Sequence, residues 1–260
     1  MIQNERIKRA MRVLIAVSFA AWGAQQIVFH DFVTRIVGVV PAWVPMQPAL
    51  AVLSGIALIA AATALFFEKR NVALALGVAC LVLAVLTQLL PALADLTNIG
   101  RLVSLGKALT IAGCAFTFAG SLGERVGPLP PRILVLYGKF ALGAFMIYSG
   151  ILHFQLRAFV AGLFPAWIPF HMPFTLMAGV LLICGGLGMM IPVTTNLASL
   201  LSGIMILAWV PLIHIPLTLK NLGNPGESVP VFEALAFGSL AVLAYATGRE
   251  KQSGSLKSFG

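Results

Sequence analysis

Eight apolar runs dominate the sequence, at 11–30, 47–67, 71–91, 101–122, 133–153, 172–191, 195–216 and 229–247. About 20 helical residues, at about 1.5 Å each, cross the roughly 30 Å hydrocarbon layer of a bilayer. No water satisfies backbone groups there, so a crossing segment is a helix or part of a closed barrel. Barrel strands are shorter, about 10 residues, and alternate in polarity; these runs do neither. The expected fold is all-α, a polytopic integral membrane protein with eight transmembrane helices. Composition agrees: 10% of the 260 residues are charged and 60% are apolar, whereas a soluble domain carries about 25% charged residues. The partner such a surface requires is the lipid bilayer.

The formal net charge is +9. The cations lie at the ends of the runs rather than in one patch, which excludes a nucleic-acid partner and fits the positive-inside rule. With the N-terminus inside, the cytoplasmic segments carry 12 Lys and Arg residues, the outer segments 4, and Lys107 lies within a span. The expected location is the inner (cell) membrane, multi-pass, with both termini cytoplasmic. The stretch NERIKRAMRVLIAVSFAAWGA resembles a signal peptide, with Ser18-Phe19-Ala20 as a weak cleavage site. Its counterpart in the second half favours reading it as a retained span.

That counterpart follows from an internal repetition. VPAWVP (40–45) and FPAWIP (164–169) share Pro-Ala-Trp and the closing Pro at an offset of 124. Asn71 and Asn196, Pro91 and Pro216, GKAL (106–109) and FEAL (232–235), and GER (123–125) and GRE (248–250) keep the same order at offsets of 125 or 126. The Pro-rich stretch SLGERVGPLPPR (121–132) disfavours helix and marks the linker. The expected units are 1–126 and 127–260, each a four-helix repeat. Four spans per unit make the repeats parallel, related by a pseudo-twofold axis along the membrane normal. Pro91 and Pro216 are expected to end their spans. Small-residue runs such as SGIALIAAATA (54–64) and CGGLG (184–188) should let helices approach closely.

Polar chemistry collects on the side expected to face outward. Each hexamer reads as a stiff, extended connector, with Trp43 and Trp167 at headgroup depth or covering a site between helices. His30, His153, His171 and His214 share that side with Asp31, Asp95, Asn98 and Glu227. His153 and His214 are candidates to hold a quinone carbonyl or ligate a haem iron; as interfacial imidazoles they could equally bind headgroups or water. His30 and His153 stand one residue out of register and read as equivalents. Lys107 and Glu233 occupy matching places with opposite charges. An ionisable residue in a span faces the bundle interior or pairs, so an ion pair between the halves is expected. Candidate ligand-binding residues are therefore His153, His214, Glu233, Lys107, His30, Trp43 and Trp167. No metal site is expected. Cys80, Cys114 and Cys184 form no CxxC and read as small buried residues. P-loop, HExxH, GxSxG and dinucleotide-binding patterns are absent, and no polar stripe runs the length of a span, which speaks against a water-filled channel.

The four-span unit in which SGILHF (149–154) closes the first helix, followed by FPAWIP and the Gly-rich MAGVLLICGGLGMMIP (177–192), resembles the DoxX-like membrane family. In the first half QQIVFHDF (25–32) stands at the SGILHF position, with His30 and Phe32 as its echo. The resemblance implies a membrane subunit or anchor of a quinone-linked redox system, with redox partner subunits, and His153 matches the family's recurrent histidine. The doubled unit departs from the single four-span pattern and implies a covalent pseudo-dimer. Two other readings stay open: a transporter or binder of a small apolar molecule, and a membrane enzyme on a lipid-like substrate using His153 or Glu233 as general acid or base.

Overall fold

The structure, a computed structural model, describes residues 2–38, 40, 43–123, 129–220 and 225–257, without the side chains of 2, 225, 227 and 249–257. Pro41 and Ala42 of the first hexamer, residues 124–128 of the linker and the Glu227 side chain lie outside the described residues. All regular structure among the described residues is helical. In chain order it comprises α1 (Ile2–Phe29), α2 (Thr34–Val37), α3 (Gln47–Phe66), α4 (Arg70–Leu83), α5 (Leu90–Ala94), α6 (Ile99–Ser121), α7 (Pro131–Gln155), α8 (Arg157–Gly162), α9 (His171–Met190), α10 (Thr195–Trp209), α11 (Ile215–Lys220) and α12 (Pro225–Lys257). Among the described residues eight helical stretches are long and apolar enough to cross a membrane, which marks a multi-pass membrane protein.

Two of these stretches are composite. A π-helical turn, Ala84–Leu89, joins α4 to α5, and another, Val210–His214, joins α10 to α11. Each precedes or contains proline: Pro91 follows the first, while Pro211 and Pro216 lie in and just after the second. Proline removes an N–H donor and crowds the carbonyl one turn back, and a widened π turn is one way a helix absorbs that defect. Pro91 and Pro216 therefore lie inside continuous spans, Arg70–Ala94 and Thr195–Lys220, instead of ending them.

Helices α6 and α12 are the most buried spans. They pack on each other, α12 also takes α1 and α10, and α6 takes α7 and α4; α3 lies on α1 and α9 on α7. Ile15, Phe19 and Trp22 of α1 are fully buried, so this segment belongs to the core. The outward faces of α3, α4, α9 and α10 carry exposed Leu53, Ile56, Val78, Val82, Met177, Val180, Leu201 and Ile204. Exposed apolar surface on so many faces exceeds the few hundred Å² usual on a soluble monomer and suits lipid.

Close crossings are built on glycine. A Cβ at Gly23 would stand 2.6 Å from the Gly55 carbonyl oxygen, and one at Gly150 2.7 Å from that of Gly179. Gly143 meets Gly186, Gly113 meets Gly138 and Gly203 meets Gly238 in the same manner. Such contacts supply the backbone approach that helix association in lipid relies on.

Two expectations are corrected here. FPAWIP is a tight turn, not an extended connector: Ile168 N–H donates to the Pro165 carbonyl at 3.0 Å. The prolines constrain Phe164, Pro165, Ile168 and Pro169, which leaves Ala166 and Trp167 free to reverse the chain. Cys80 and Cys114 are buried, but Cys184 is exposed, because it lies on the face of α9 turned away from the bundle.

Candidate functional site

A cavity of about 300 Å³ lies within the second half of the chain, lined by residues of α7, α8, α9, α10, the second π turn and α12, and by Lys107 of α6. Its walls are mostly apolar: Phe145, Met146, Phe164, Trp209 and Phe237 contribute, and Phe145 and Phe237 meet edge-on at 5.8 Å. The polar lining is His153, His214, Ser149, Lys107 and Glu233. Four of the seven candidate residues thus come together from four different elements.

Lys107 Nζ donates to Glu233 Oε2 at 2.5 Å, 126 positions apart in sequence. Glu233 is only 3% exposed, so its charge has to be met inside the protein. A second cation helps: Arg35 Nε approaches Glu233 Oε1 at 3.5 Å, and Arg35 Nη1 donates to Ser104 Oγ at 3.0 Å. Lys107 thus binds one carboxylate oxygen, while the other, Oε1, is buried and faces Arg35 without a hydrogen-bond partner.

His153 sits near the end of α7, with Nδ1 2.7 Å from the Ser149 carbonyl oxygen. A carbonyl only accepts, so Nδ1 carries the proton and Nε2 is left with its lone pair. His214 occupies the last position of the second π turn, where the widened helix carries it to the cavity wall.

The other three candidates lie elsewhere. Trp43 and Trp167 are exposed, at 81% and 60%; neither lines the cavity, though Phe164 of the second hexamer does, and it stacks on His171 at 5.8 Å. His30 is exposed just beyond α1, with a left-handed φ of 53°. It is not the equivalent of His153. The Gly55 contact with Gly23 is flanked by Gln26 and Ile27, and the Gly179 contact with Gly150 by His153 and Phe154. Gln26 therefore holds the place of His153, three residues past the crossing glycine in each case. Gln26 accepts a hydrogen bond from Ser54 Oγ at 2.5 Å.

A second, more polar cavity of about 190 Å³ adjoins the first, sharing Pro230, and is lined by Gln25, Asp31, Thr34 and Arg35 among others. Arg35 was legible only as a loop charge; nothing in its neighbourhood of sequence points to Glu233. Asp95 lies between spans and accepts from Thr97 Oγ1 at 2.6 Å. That hydrogen bond holds its carboxyl below the usual aspartate range. Among the described residues no cluster of three or more His, Cys, Asp or Glu side chains is placed to hold a metal ion.

Comparison with protein-family models, curated proteins and solved structures returns no match.

Proposed function

We propose that the chain is a DoxX-like inner-membrane protein made of two parallel four-helix repeats, 1–126 and 127–260, with both termini cytoplasmic. In this reading it is a membrane subunit or anchor of a quinone-linked redox system, and its pocket faces the extracytoplasmic side. Support for the repeats comes from paired geometry: Gly23–Gly55 beside Gly150–Gly179, Gly77–Phe116 beside Gly203–Val242, and left-handed Met46 and Phe170 before α3 and α9. The π turns at Ala84–Leu89 and Val210–His214 add a fourth pair. Support for the orientation is the distribution of Lys and Arg.

The observation that carries the functional reading is the apolar cavity with His153, His214 and the Lys107–Glu233 pair in its wall. Ligand sites are typically apolar with a few convergent polar groups. Phe145, Trp209 and Phe237 suit an aromatic ring, while Lys107 would donate to a ring oxygen, His153 would accept from a ring hydroxyl and His214 stands beside them. A quinone, when bound, supplies two-electron redox chemistry to a partner subunit. The cavity volume, at the lower end of the roughly 300–1,000 Å³ range of ligand sites, suits a single-ring head group better than the four-ring plane of a haem.

Purification in mild detergent followed by solvent extraction tests this. Near-stoichiometric quinone is expected from the native chain and none from His153→Ala/His214→Ala. A native protein that is quinone-free and colourless would sink the redox reading. In that event the leading reading becomes a binder or transporter of a small apolar molecule, favoured by the adjoining polar cavity as a route to the site. The reading as an enzyme on a lipid-like substrate has less support, because one oxygen of Glu233 is taken by Lys107.

A further inference from the structure

The hydrogen bonding of His153 bears on which form of ligand the cavity accepts. Its Nδ1–H is committed to Ser149 of the same helix. Nε2 is an acceptor on a cavity walled by Phe145, Trp209 and Phe237, and a ligand that displaces water from it has to supply a donor in exchange. The charges nearby are two cations against one carboxylate: Lys107 binds Glu233 Oε2, and Arg35 stands 3.5 Å from Oε1, which is buried without a hydrogen-bond partner. That surplus of positive charge disfavours a cationic ligand.

Lys107 carries three N–H bonds, one of which is used by Glu233; the others can donate to a ligand oxygen. A carbonyl oxygen satisfies Lys107 but offers nothing to His153. A hydroxyl oxygen can accept from one group and donate to another. A ring with hydroxyl groups therefore serves both polar ends of this cavity, and a ring with carbonyls serves one.

We infer that the cavity selects a ligand with an aromatic hydroxyl donated to His153 Nε2, so that a phenol or hydroquinone is held in preference to the matching quinone. The inference rests on the proposed reading of this cavity as a ligand site, and adds to it the chemical form of the ligand.

The test uses the full chain in lipid nanodiscs under argon, titrated calorimetrically with a short-chain alkyl hydroquinone, its quinone and its dimethyl ether. The hydroquinone should bind about tenfold more tightly than either of the others, the value of one hydrogen bond. In His153→Phe the three affinities should converge. The comparison within the native chain stands without the variant, so a failure of His153→Phe to fold leaves the test intact. Equal affinities, or a tighter quinone, would overturn the hydroxyl inference and leave the site standing. Absence of binding by all three would overturn the ligand site and the inference together.

Discussion

Helices α1 and α3 cross on Gly23 and Gly55, and α7 and α9 on Gly150 and Gly179, yet a fully buried side chain stands before the first glycine and the wall of the 300 Å³ cavity before the second. The residue before the crossing glycine decides the difference. Before Gly23 it is Trp22, fully buried and edge-on to Phe19 at 5.3 Å. Before Gly150 it is Ser149, which lines the cavity. Three residues past the glycine, Gln26 is bound to Ser54, where His153 keeps a lone pair for a ligand. In the π turns, Gln88 donates to the Thr34 carbonyl at 2.8 Å, where His214 faces the cavity. Trp22 and Gln26 are themselves only partly satisfied, since Trp22 Nε1 and Gln26 Nε2 are buried without a hydrogen-bond partner, but neither lines the 300 Å³ cavity. Similar helix crossings thus carry a buried indole in one case and a cavity wall in the other.

Emptying the space before Gly23 breaks the comparison most severely. Trp22→Ala removes a fully buried indole and should cost about 3–5 kcal/mol, measured as unfolding in mixed micelles; a loss below about 1 kcal/mol would show that the indole does not fill that space. Next comes the link between halves. Glu233→Gln leaves Lys107 and Arg35 without their carboxylate and should destabilise by about 3 kcal/mol, while Lys107→Met with Glu233→Gln should recover much of that loss. If the double variant is no more stable than the single, the pair contributes nothing of its own.

Two smaller effects sharpen the contrast. Gly23→Ala and Gly150→Ala should each cost about 1–3 kcal/mol by overpacking, and by similar amounts, because both meet a backbone carbonyl. Ser149→Phe fills the cavity, so it should abolish ligand binding while changing stability by no more than about 1 kcal/mol. The smallest effect lies outside both halves' cores. Asp95 has a lowered folded-state pKa, so its contribution is present above the ordinary aspartate range and lost as pH falls through the lowered value. The Thr97 amide resonance should stay constant at neutral pH and shift only in acid below that range; a shift near neutrality would contradict the hydrogen bond.

The eight spans and the meeting of Lys107 with Glu233 were legible because both rest on strong signals: run length, and the cost of a charge in lipid. His153 and His214 were legible as residue types at helix ends. Trp22 was not, since a tryptophan in an apolar run carries no mark of what it fills. Gln26 was hidden by His30, which imitates the second half's histidine in sequence but falls past the end of α1. Arg35 reaches Glu233 only through the path of the chain around α2, and no local pattern encodes that path. The π turns were signalled by proline but read as helix ends, because sequence does not say whether a helix stops at a proline or widens before it.

The ion pair between Lys107 and Glu233 has a consequence for any division of the chain. Apart from each other, the piece before the Pro-rich stretch would hold a lysine within a span, and the piece after it a glutamate, each without its partner. Either piece alone would carry into lipid a charge that only the other one answers.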